Sequence, residues 1–309
     1  MILESCHVAS GQLFQWKGSV QVPEAIVLKH ALMPAEPEDG FRILLKSLPA
    51  TEAAACDAWC AELGTELSEA ALDMNVHAWE CFSRVRRALK TGRVSLLYWS
   101  DDQARMDAEV LKRWLCRRLE CDAAKQRLRS QVREELLHLP EAYMCSADAQ
   151  ITEWLLESRE YREAERLFVY VSMPREPDTH VLITHALESG KRVYVPRCLP
   201  AQRMEGVRLL SMHDLVPGRY SIPEPRVCSE TAEASEVDMV IVPCMSVTRD
   251  GKRLGHGGGY YDRYLAHSAT FRVCLCYARL LQTEIPVNVL DCPMHAILTE
   301  EGMLYCQRI

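Results

Sequence analysis

The stretch GKRLGHGGGYYDRYL, Gly251–Leu265, places four glycines within five positions directly before a helix-like segment. Glycine lets the backbone adopt positive φ and brings its N–H groups close to a phosphate. The N-terminus of the following helix adds unpaired N–H groups and a positive dipole end. Arg253 and His256 add side-chain donors, and Asp262 is placed to hold Mg²⁺ opposite the phosphates. The stretch therefore predicts a phosphate-binding loop between a strand and a helix.

Two standard phosphate motifs do not fit this loop. The sequence has no GxxxxGK[ST], and GHGGGY is not a GxGxxG turn that leaves a strand directly. A surface turn that only caps the following helix is the alternative reading. The flanking Arg253 and the YYDR that follows the glycines favour the phosphate loop.

Outward from the loop, apolar runs alternate with helical patterns. This alternation predicts a mostly parallel sheet covered by helices on both faces. The predicted strands are LFVYVS, RVYVP, MVIVP and FRVCLCY, and the predicted helices are Ala123–His138, Ala147–Glu157, Asp178–Ser189 and Tyr260–Ala266.

The sequence predicts two domains. Residues 1–120 form a separate N-terminal α/β domain of unknown role, and residues 121–309 form the second domain. The boundary is placed near Glu120–Asp122, where one helix either runs through or breaks. Asp101 and Asp102 follow a strand-like run, where α/β proteins often place functional acids. They are either functional acids or solvated loop residues, and the solvated loop is favoured. The predicted elements are a strand or short helix at Phe41–Leu48, helices at Thr51–Leu72, Met74–Lys90 and Met106–Leu119, and a strand at Val94–Trp99.

Composition excludes several classes of protein. The chain has 309 residues, 48% of them hydrophobic, and a net charge of -7 with no basic block. A duplex nucleic acid or an anionic membrane requires a concentrated basic face, so neither is an expected partner. The 14 cysteines lack metal-ligand spacing and are expected to be reduced thiols. MILESCHVASGQLFQWKG has no signal-peptide pattern, so a cytoplasmic protein is expected.

Several segments, in the right order, resemble the 5-formyltetrahydrofolate cyclo-ligase family. RLGHGGGYYDRYL resembles that family's signature RLGxGxGYYD, and AKQRLRSQVREEL resembles its N-terminal KxxLR element. VSMPREPDT resembles the turn that holds a folate-binding glutamate. The resemblance covers Ala123–Glu300 and also includes GKRVYVPR, YSIPEP, VDMVIVP and IPVNVLDCPMHAILTE.

The resemblance implies a ligand for each candidate residue. It assigns catalytic roles to Arg253 and Tyr260, and Mg²⁺ binding to Asp262 and Asp291. ATP contacts are implied at Lys125, Arg129, Arg253, Leu254, Gly255, His256, Gly257, Gly258, Gly259, Tyr260 and Tyr261. Folate contacts are implied at Val171, Glu176, His256, Gly257, Gly258, Gly259 and Tyr260.

Without the resemblance these residues have simpler explanations. Lys125 and Arg129, at i and i+4, form a solvated helix face. Glu176 and Asp291 are turn or cap residues, and Asp262 either caps its own helix or forms an ion pair within it. Tyr260 and Tyr261 are core aromatics. The resemblance favours the functional roles.

The implied activity is ATP-dependent cyclisation of 5-formyltetrahydrofolate to 5,10-methenyltetrahydrofolate, with release of ADP and phosphate. The cofactors are ATP and Mg²⁺, and the implied fold is a three-layer α/β sheet of the ribose-5-phosphate isomerase and CoA-transferase type. A protein partner or self-association through the N-terminal domain is a further possibility.

The sequence also departs from the family's pattern. Cys244 replaces a glycine, Val247 and Thr248 replace Phe-Asp, Leu280 replaces a glutamine, and His295 replaces an acid. These departures leave open a non-catalytic folate- or nucleotide-binding protein derived from the family. A different enzyme on the same scaffold is disfavoured by the KxxLR helix and the YYD loop.

Overall fold

The computed structural model describes residues 3–7, 25–30, 41–45, 94–98, 102–200, 203–218, 222–226, 230–266 and 268–306, with the helical positions Asp73 and Phe82. The chain divides into two compact units, Met1–Asp122 and Ala123–Ile309.

The first unit contains a four-stranded sheet in the order β1-β4-β2-β3. Strand β4 is parallel to both β1 and β2, whereas β2 and β3 are antiparallel. The strand predicted at Val94–Trp99 is confirmed over Val94–Tyr98, and Phe41–Leu45, within the segment predicted as a strand or short helix, is a strand. The predicted helices Thr51–Leu72 and Met74–Lys90 lie outside the described residues, except for the helical position Phe82. The strands are β1 Leu3–His7, β2 Ala25–His30, β3 Phe41–Leu45 and β4 Val94–Tyr98.

A single long helix, α1, contains both helices predicted around the domain boundary. It runs from Asp102 to Leu137, 36 residues, and so continues through the division at Asp122. No proline or glycine interrupts this segment, which is why the helix does not break there.

The second unit contains an eight-stranded sheet in the order β10-β7-β6-β5-β11-β14-β15-β16. The five central strands, from β6 to β15, are parallel, and the outer pairings are antiparallel. The mostly parallel sheet is therefore confirmed. The sheet strands are β5 Arg166–Val169, β6 Arg192–Cys198, β7 Met204–Leu209, β10 Thr231–Ala232, β11 Met239–Pro243, β14 Phe271–Leu275, β15 Ala296–Thr299 and β16 Gly302–Tyr305.

Four further α-helices, three single-turn 3-10 helices and two short strand pairs complete the described part of this unit. The predicted helix at Ala147–Glu157 begins earlier, at Glu141, directly after Pro140, which is the extended N-cap residue. The helices are α2 Glu141–Glu157, α3 Arg159–Glu163, α4 His180–Glu188 and α5 Tyr260–Leu265. The strand pairs are β8 Leu215–Pro217 with β9 Pro223–Pro225, and β12 Ser246–Val247 with β13 Arg253–Leu254.

The central strands form the core of the second unit. Phe168 on β5, Ile241 on β11 and Val273 on β14 are completely buried. Strands of a parallel sheet are covered on both faces, which explains their continuous apolar runs in the sequence. Within the described part of the chain, no helix is both long and apolar enough to cross a bilayer.

The order of the strands places a crevice between β5 and β11. The chain builds outward from β5 through β6 and β7 on one side, and from β11 through β14 and β15 on the other. Open α/β sheets bind ligands at such a switch point, outside the carboxyl ends of the strands. Strands β5 and β11 end at Val169 and Pro243, so the segments that follow them border this crevice.

Candidate active site at the switch point of the sheet

The glycine loop is held at one end by a small hairpin and at the other by a helix. Strand β13 pairs with β12, which fixes Arg253 and Leu254, and α5 begins at Tyr260. Gly257 has φ 100° and Gly259, the N-cap of α5, has φ 65°. Residues with a Cβ rarely adopt such angles, so the glycines permit this path. His256, Gly257 and Gly258 are exposed, so the loop faces solvent and is not packed into the core.

Arg253 is the buried cation beneath the loop. Its side chain is only 5% exposed, and its Nη2 donates to Asp262 Oδ1 at 2.9 Å. Its Nη1 donates to the Pro243 carbonyl at 3.2 Å, and its Nε has no hydrogen-bond partner among the described residues. A Cβ on Gly255 would lie 2.7 Å from Nη1, so the loop backbone lies directly against the guanidinium.

Helix α1 brings two further cations to the loop. Arg129 Nε donates to the Gly255 carbonyl at 2.8 Å, and its Cζ lies 3.3 Å from where a Gly257 Cβ would be. Lys125, one turn earlier on the same helix face, is buried, and its Nζ lies 2.5 Å from Asp291 Oδ2. The solvated basic face considered from the sequence is therefore wrong for Lys125.

Each of the two candidate metal-binding carboxylates receives its hydrogen bonds on one oxygen. Asp262 Oδ1 accepts from Arg253 and from the Cys292 amide at 3.2 Å. Asp291 Oδ2 accepts from Lys125 and from the Asn288 amide at 2.6 Å. Burial alone would raise the pKa of Asp262, but the charge of Arg253 and these hydrogen bonds hold that pKa below its ordinary value. The carboxylate is therefore ionised at neutral pH.

The donor set fits a magnesium ion only in part. Among the described residues, no group of three or more His, Cys, Asp or Glu side chains could hold a metal. Mg²⁺ commonly uses one or two carboxylates and completes its shell with water and substrate phosphates. The second oxygens of Asp262 and Asp291, which no hydrogen bond above occupies, fit an ion that arrives with a nucleotide.

Glu176 lies across the crevice, on the turn that follows β5. Its Oε1 is 3.0 Å from His256 Nε2, and its Oε2 accepts from the Met173 amide at 2.8 Å. The Glu176 side chain is 16% exposed, whereas that of His256 is 57% exposed. The His256–Glu176 contact therefore joins the glycine loop to the segment after β5, at the switch point.

The remaining candidates take different positions. The Tyr260 ring lies beneath Gly258, where an added Cβ would be 2.8 Å away, and Tyr261 packs edge-to-face on Phe168 with centroids 6.1 Å apart. Leu254 is completely buried, and Val171 is 2% exposed. In this structure Val171 therefore lies in the core behind the turn and has no open apolar surface.

Four of the departures from the family's pattern are buried, at Cys244, Val247, Thr248 and Leu280. Cys244 lies in the core, where its thiol donates to the Leu275 carbonyl at 3.2 Å, and Leu280 is 3% exposed. His295 stacks on Phe271 with ring centroids 5.8 Å apart. Every cysteine whose side chain the structure describes is a free thiol.

Two groups that contact the Glu176 turn have no signal in the sequence. Asp148 on α2 and Tyr277, just after β14, both bond to this turn. Asp148 lies within an ordinary amphipathic helix, so no motif distinguishes it. A tertiary contact between positions 129 residues apart is needed to bring the pair together.

Open surface cavities also lie away from these residues. One of about 780 Å³ is bordered by Tyr143, Arg249, Arg279 and Glu300 among others, and one of about 490 Å³ by Gln131 and neighbouring α1 residues. None of the predicted site residues lines either cavity.

A sequence profile described as the 5-formyltetrahydrofolate cyclo-ligase family matches residues 121–300, more than half of the chain. The chain belongs to this family. The resemblance seen in the sequence is therefore confirmed, and residues 1–120 lie outside the matched range.

Individual cyclo-ligases agree with the family match. The 5-formyltetrahydrofolate cyclo-ligase of Mus musculus is 26% identical over 194 residues, which cover 59% of this chain and 96% of that protein. The Escherichia coli K12 cyclo-ligase is 34% identical over 143 residues, 44% of this chain and 78% of that protein. A solved structure of Aquifex aeolicus 5,10-methenyltetrahydrofolate synthetase matches with a TM-score of 0.54 and 25% identity, covering 60% of this chain and 94% of that one.

Proposed function

We propose that the unit Ala123–Ile309 catalyses the ATP-dependent cyclisation of 5-formyltetrahydrofolate to 5,10-methenyltetrahydrofolate, with release of ADP and phosphate. The observation that carries the proposal is the arrangement of charges at the switch point. Arg129 and Arg253 both contact the glycine loop, and Asp262 is ion-paired beneath it. Glu176 faces the same loop through His256. A nucleotide site and a folate-binding carboxylate thus share one crevice.

The reaction requires positioning and charge neutralisation more than it requires a protein nucleophile. The formyl oxygen of the substrate takes the γ-phosphoryl group of ATP, and ADP leaves. N10 then attacks the formyl carbon, phosphate departs, and the N10 proton is lost. Arg253 and Arg129 stabilise negative charge on the phosphoryl oxygens, and the exposed amides of the loop add donors.

On the folate side, Glu176 accepts hydrogen bonds from the pterin N–H edge and so orients N5 and its formyl group. Tyr260 provides an aromatic surface next to the loop. Val171 is buried in this structure, so its direct contact with folate requires the turn to move.

We also propose that Mg²⁺ binds with the nucleotide between Asp262 and Asp291. When bound, the ion supplies charge neutralisation at the phosphates. The chain's own contribution is to orient both carboxylates through Arg253, Lys125 and two backbone amides.

Three finer features complete the proposal. The sheet belongs to the three-layer ribose-5-phosphate isomerase and CoA-transferase type, which the parallel centre and switch point support. The enzyme acts in the cytoplasm. Residues 1–120 form a separate domain for self-association or a protein partner, which sedimentation of the full chain and of residues 121–309 would test.

The non-catalytic alternative is not favoured. The named relatives are cyclo-ligases, and Cys244 and Leu280 lie in the core and leave the loop surface unchanged.

The activity is tested by incubating the full chain with ATP, Mg²⁺ and 5-formyltetrahydrofolate while following methenyl absorbance in the near ultraviolet. We expect Arg129→Ala to raise the KM for ATP by about 10-fold, the value of one charged hydrogen bond. Arg249→Ala is the control, since its side chain is 70% exposed and its ion pair with Glu301 is 4.0 Å long. No absorbance change with wild-type protein at high concentration would exclude the activity.

A further inference from the structure

The carboxylate of Glu176 is fixed by the backbone of its own turn. Its Oε2 accepts from the Met173 amide, and the Glu176 amide donates to the Met173 carbonyl at 3.0 Å. Arg175, between them, has φ 71° and is the non-glycine residue with positive φ in the described part of the chain. Such angles cost energy and persist only where surrounding contacts impose them.

A reciprocal pair of hydrogen bonds closes the base of this turn. The Ser172 amide donates to Thr179 Oγ1 at 3.0 Å, and the Thr179 amide donates to Ser172 Oγ at 3.1 Å. Thr179 Oγ1 in turn donates to the Tyr170 carbonyl at 2.7 Å. These bonds fix residues 172 and 179, but they do not reach Glu176.

Asp148 and Tyr277, together with the Tyr170 hydroxyl that donates to the Pro177 carbonyl at 2.7 Å, hold the part of the turn that the base does not reach. The Asp178 amide donates to Asp148 Oδ1 at 3.1 Å, and the Tyr277 hydroxyl donates to the same oxygen at 2.9 Å. The hydroxyl also lies 3.4 Å from the Glu176 carbonyl oxygen. Helix α2 and the segment after β14 are thereby connected to the Asp178 amide and the Glu176 carbonyl.

We propose that Asp148 and Tyr277 are positioning residues that hold the Glu176 carboxylate in place for the folate. The assignment rests on the proposed function, because it is folate that Glu176 orients. Both hydrogen bonds end on one oxygen, so an amide at position 148 can accept them equally well. The Tyr277 ring is 2% exposed and packs near Tyr143, with centroids 6.0 Å apart, so a phenylalanine would fill the same space without the hydroxyl.

The test compares Asp148→Ala and Tyr277→Phe with Asp148→Asn, which keeps the acceptor oxygen. Tyr305→Phe is the matched control, since its hydroxyl also bonds a carboxylate, Glu160, at 3.0 Å and away from the turn. Hydrogen exchange of the Met173, Glu176 and Asp178 amides is measured on the full chain without ligands. The KM values for 5-formyltetrahydrofolate and for ATP are then measured separately.

We expect Asp148→Ala and Tyr277→Phe to speed exchange of the Glu176 and Asp178 amides and to raise the folate KM about five-fold, the value of one hydrogen bond. The KM for ATP stays at the wild-type value, and Asp148→Asn keeps both the amide exchange rates and the folate KM at their wild-type values. Wild-type exchange at Glu176 in Asp148→Ala, or equal increases of both KM values, would overturn the assignment. If wild-type protein has no cyclo-ligase activity, the proposed function fails, and the exchange measurement alone still decides whether the pair holds the turn.

Discussion

The glycine loop and the Glu176 turn border the same crevice, yet they obtain their shapes in opposite ways. In the loop, Gly257 and Gly259 adopt positive φ at low cost, so the path is encoded locally. In the turn, Arg175 adopts φ 71° although it has a Cβ, and contacts from distant elements impose that angle. The sequence therefore predicts the shape of the glycine loop but not that of the Glu176 turn.

The largest effect is expected from removing the carboxylate of Asp262 beneath the glycine loop. Asp262→Ala leaves the Arg253 guanidinium buried without its ion-pair partner, and breaking such a pair costs about 3–5 kcal/mol. We expect urea unfolding to show a loss in this range together with loss of activity. Asp250→Ala is the control, because Asp250 pairs with Lys252 nearer the surface, at side-chain exposures of 46% and 34%. Equal losses in the two variants would contradict the buried role of Asp262.

A second test separates backbone conformation from ligand contact in the loop. Gly257→Ala strains a residue at φ 100° and places a Cβ 3.3 Å from the Arg129 guanidinium carbon. Gly190→Ala strains a residue at φ 76° in open space. We expect both variants to lose about 1–2 kcal/mol of unfolding free energy, but only Gly257→Ala to raise the KM for ATP. An unchanged KM would show that Arg129 and the loop act independently.

The contrast explains how much of the site the sequence could predict. The loop, the α5 helix after it and four of the five parallel strands, β5, β6, β11 and β14, were predicted, because glycine clusters and apolar runs are local patterns. The parallel strand β15 and the antiparallel strands β7, β10 and β16 were not predicted, since pairing across the sheet decides them. Likewise, nothing near Asp148 or Tyr277 indicates that they meet at the Glu176 turn. The buried position of Val171 also differs from the folate contact that the resemblance implied.

A third test addresses the strain in the turn. Asn tolerates positive φ better than most residues, whereas a β-branched residue tolerates it poorly. We expect Arg175→Val to be less stable than Arg175→Asn by about 1 kcal/mol in urea unfolding. Both variants lose the bond from Arg175 Nη1 to the Leu136 carbonyl, so that loss cancels in the comparison. Equal stability would mean that the turn relaxes to another conformation.

The smallest expected effect is the pH dependence of the stability that Asp262 and Asp148 contribute. Its sign differs between the glycine loop and the Glu176 turn. The pKa of Asp262 is lowered in the fold, so its stabilisation is present above the unfolded pKa and is lost as pH falls through the folded value. Burial raises the pKa of Asp148, so its stabilisation is present below the unfolded pKa and is lost as pH rises through the folded value.

Substituting each aspartate with asparagine removes its titration. Relative to wild type, Asp262→Asn should become less stable as pH rises from acid to neutral, and Asp148→Asn should become more stable over the same interval. The Asp148 effect stays below about 1 kcal/mol, because that carboxylate is only partly buried and solvent screens it. Unfolding free energies of wild type and both variants, measured across this interval, decide the matter. If the stability differences of both variants change with pH in the same direction, the turn holds Asp148 as a charged partner, as the loop holds Asp262. The loop and the turn would then differ only in backbone conformation.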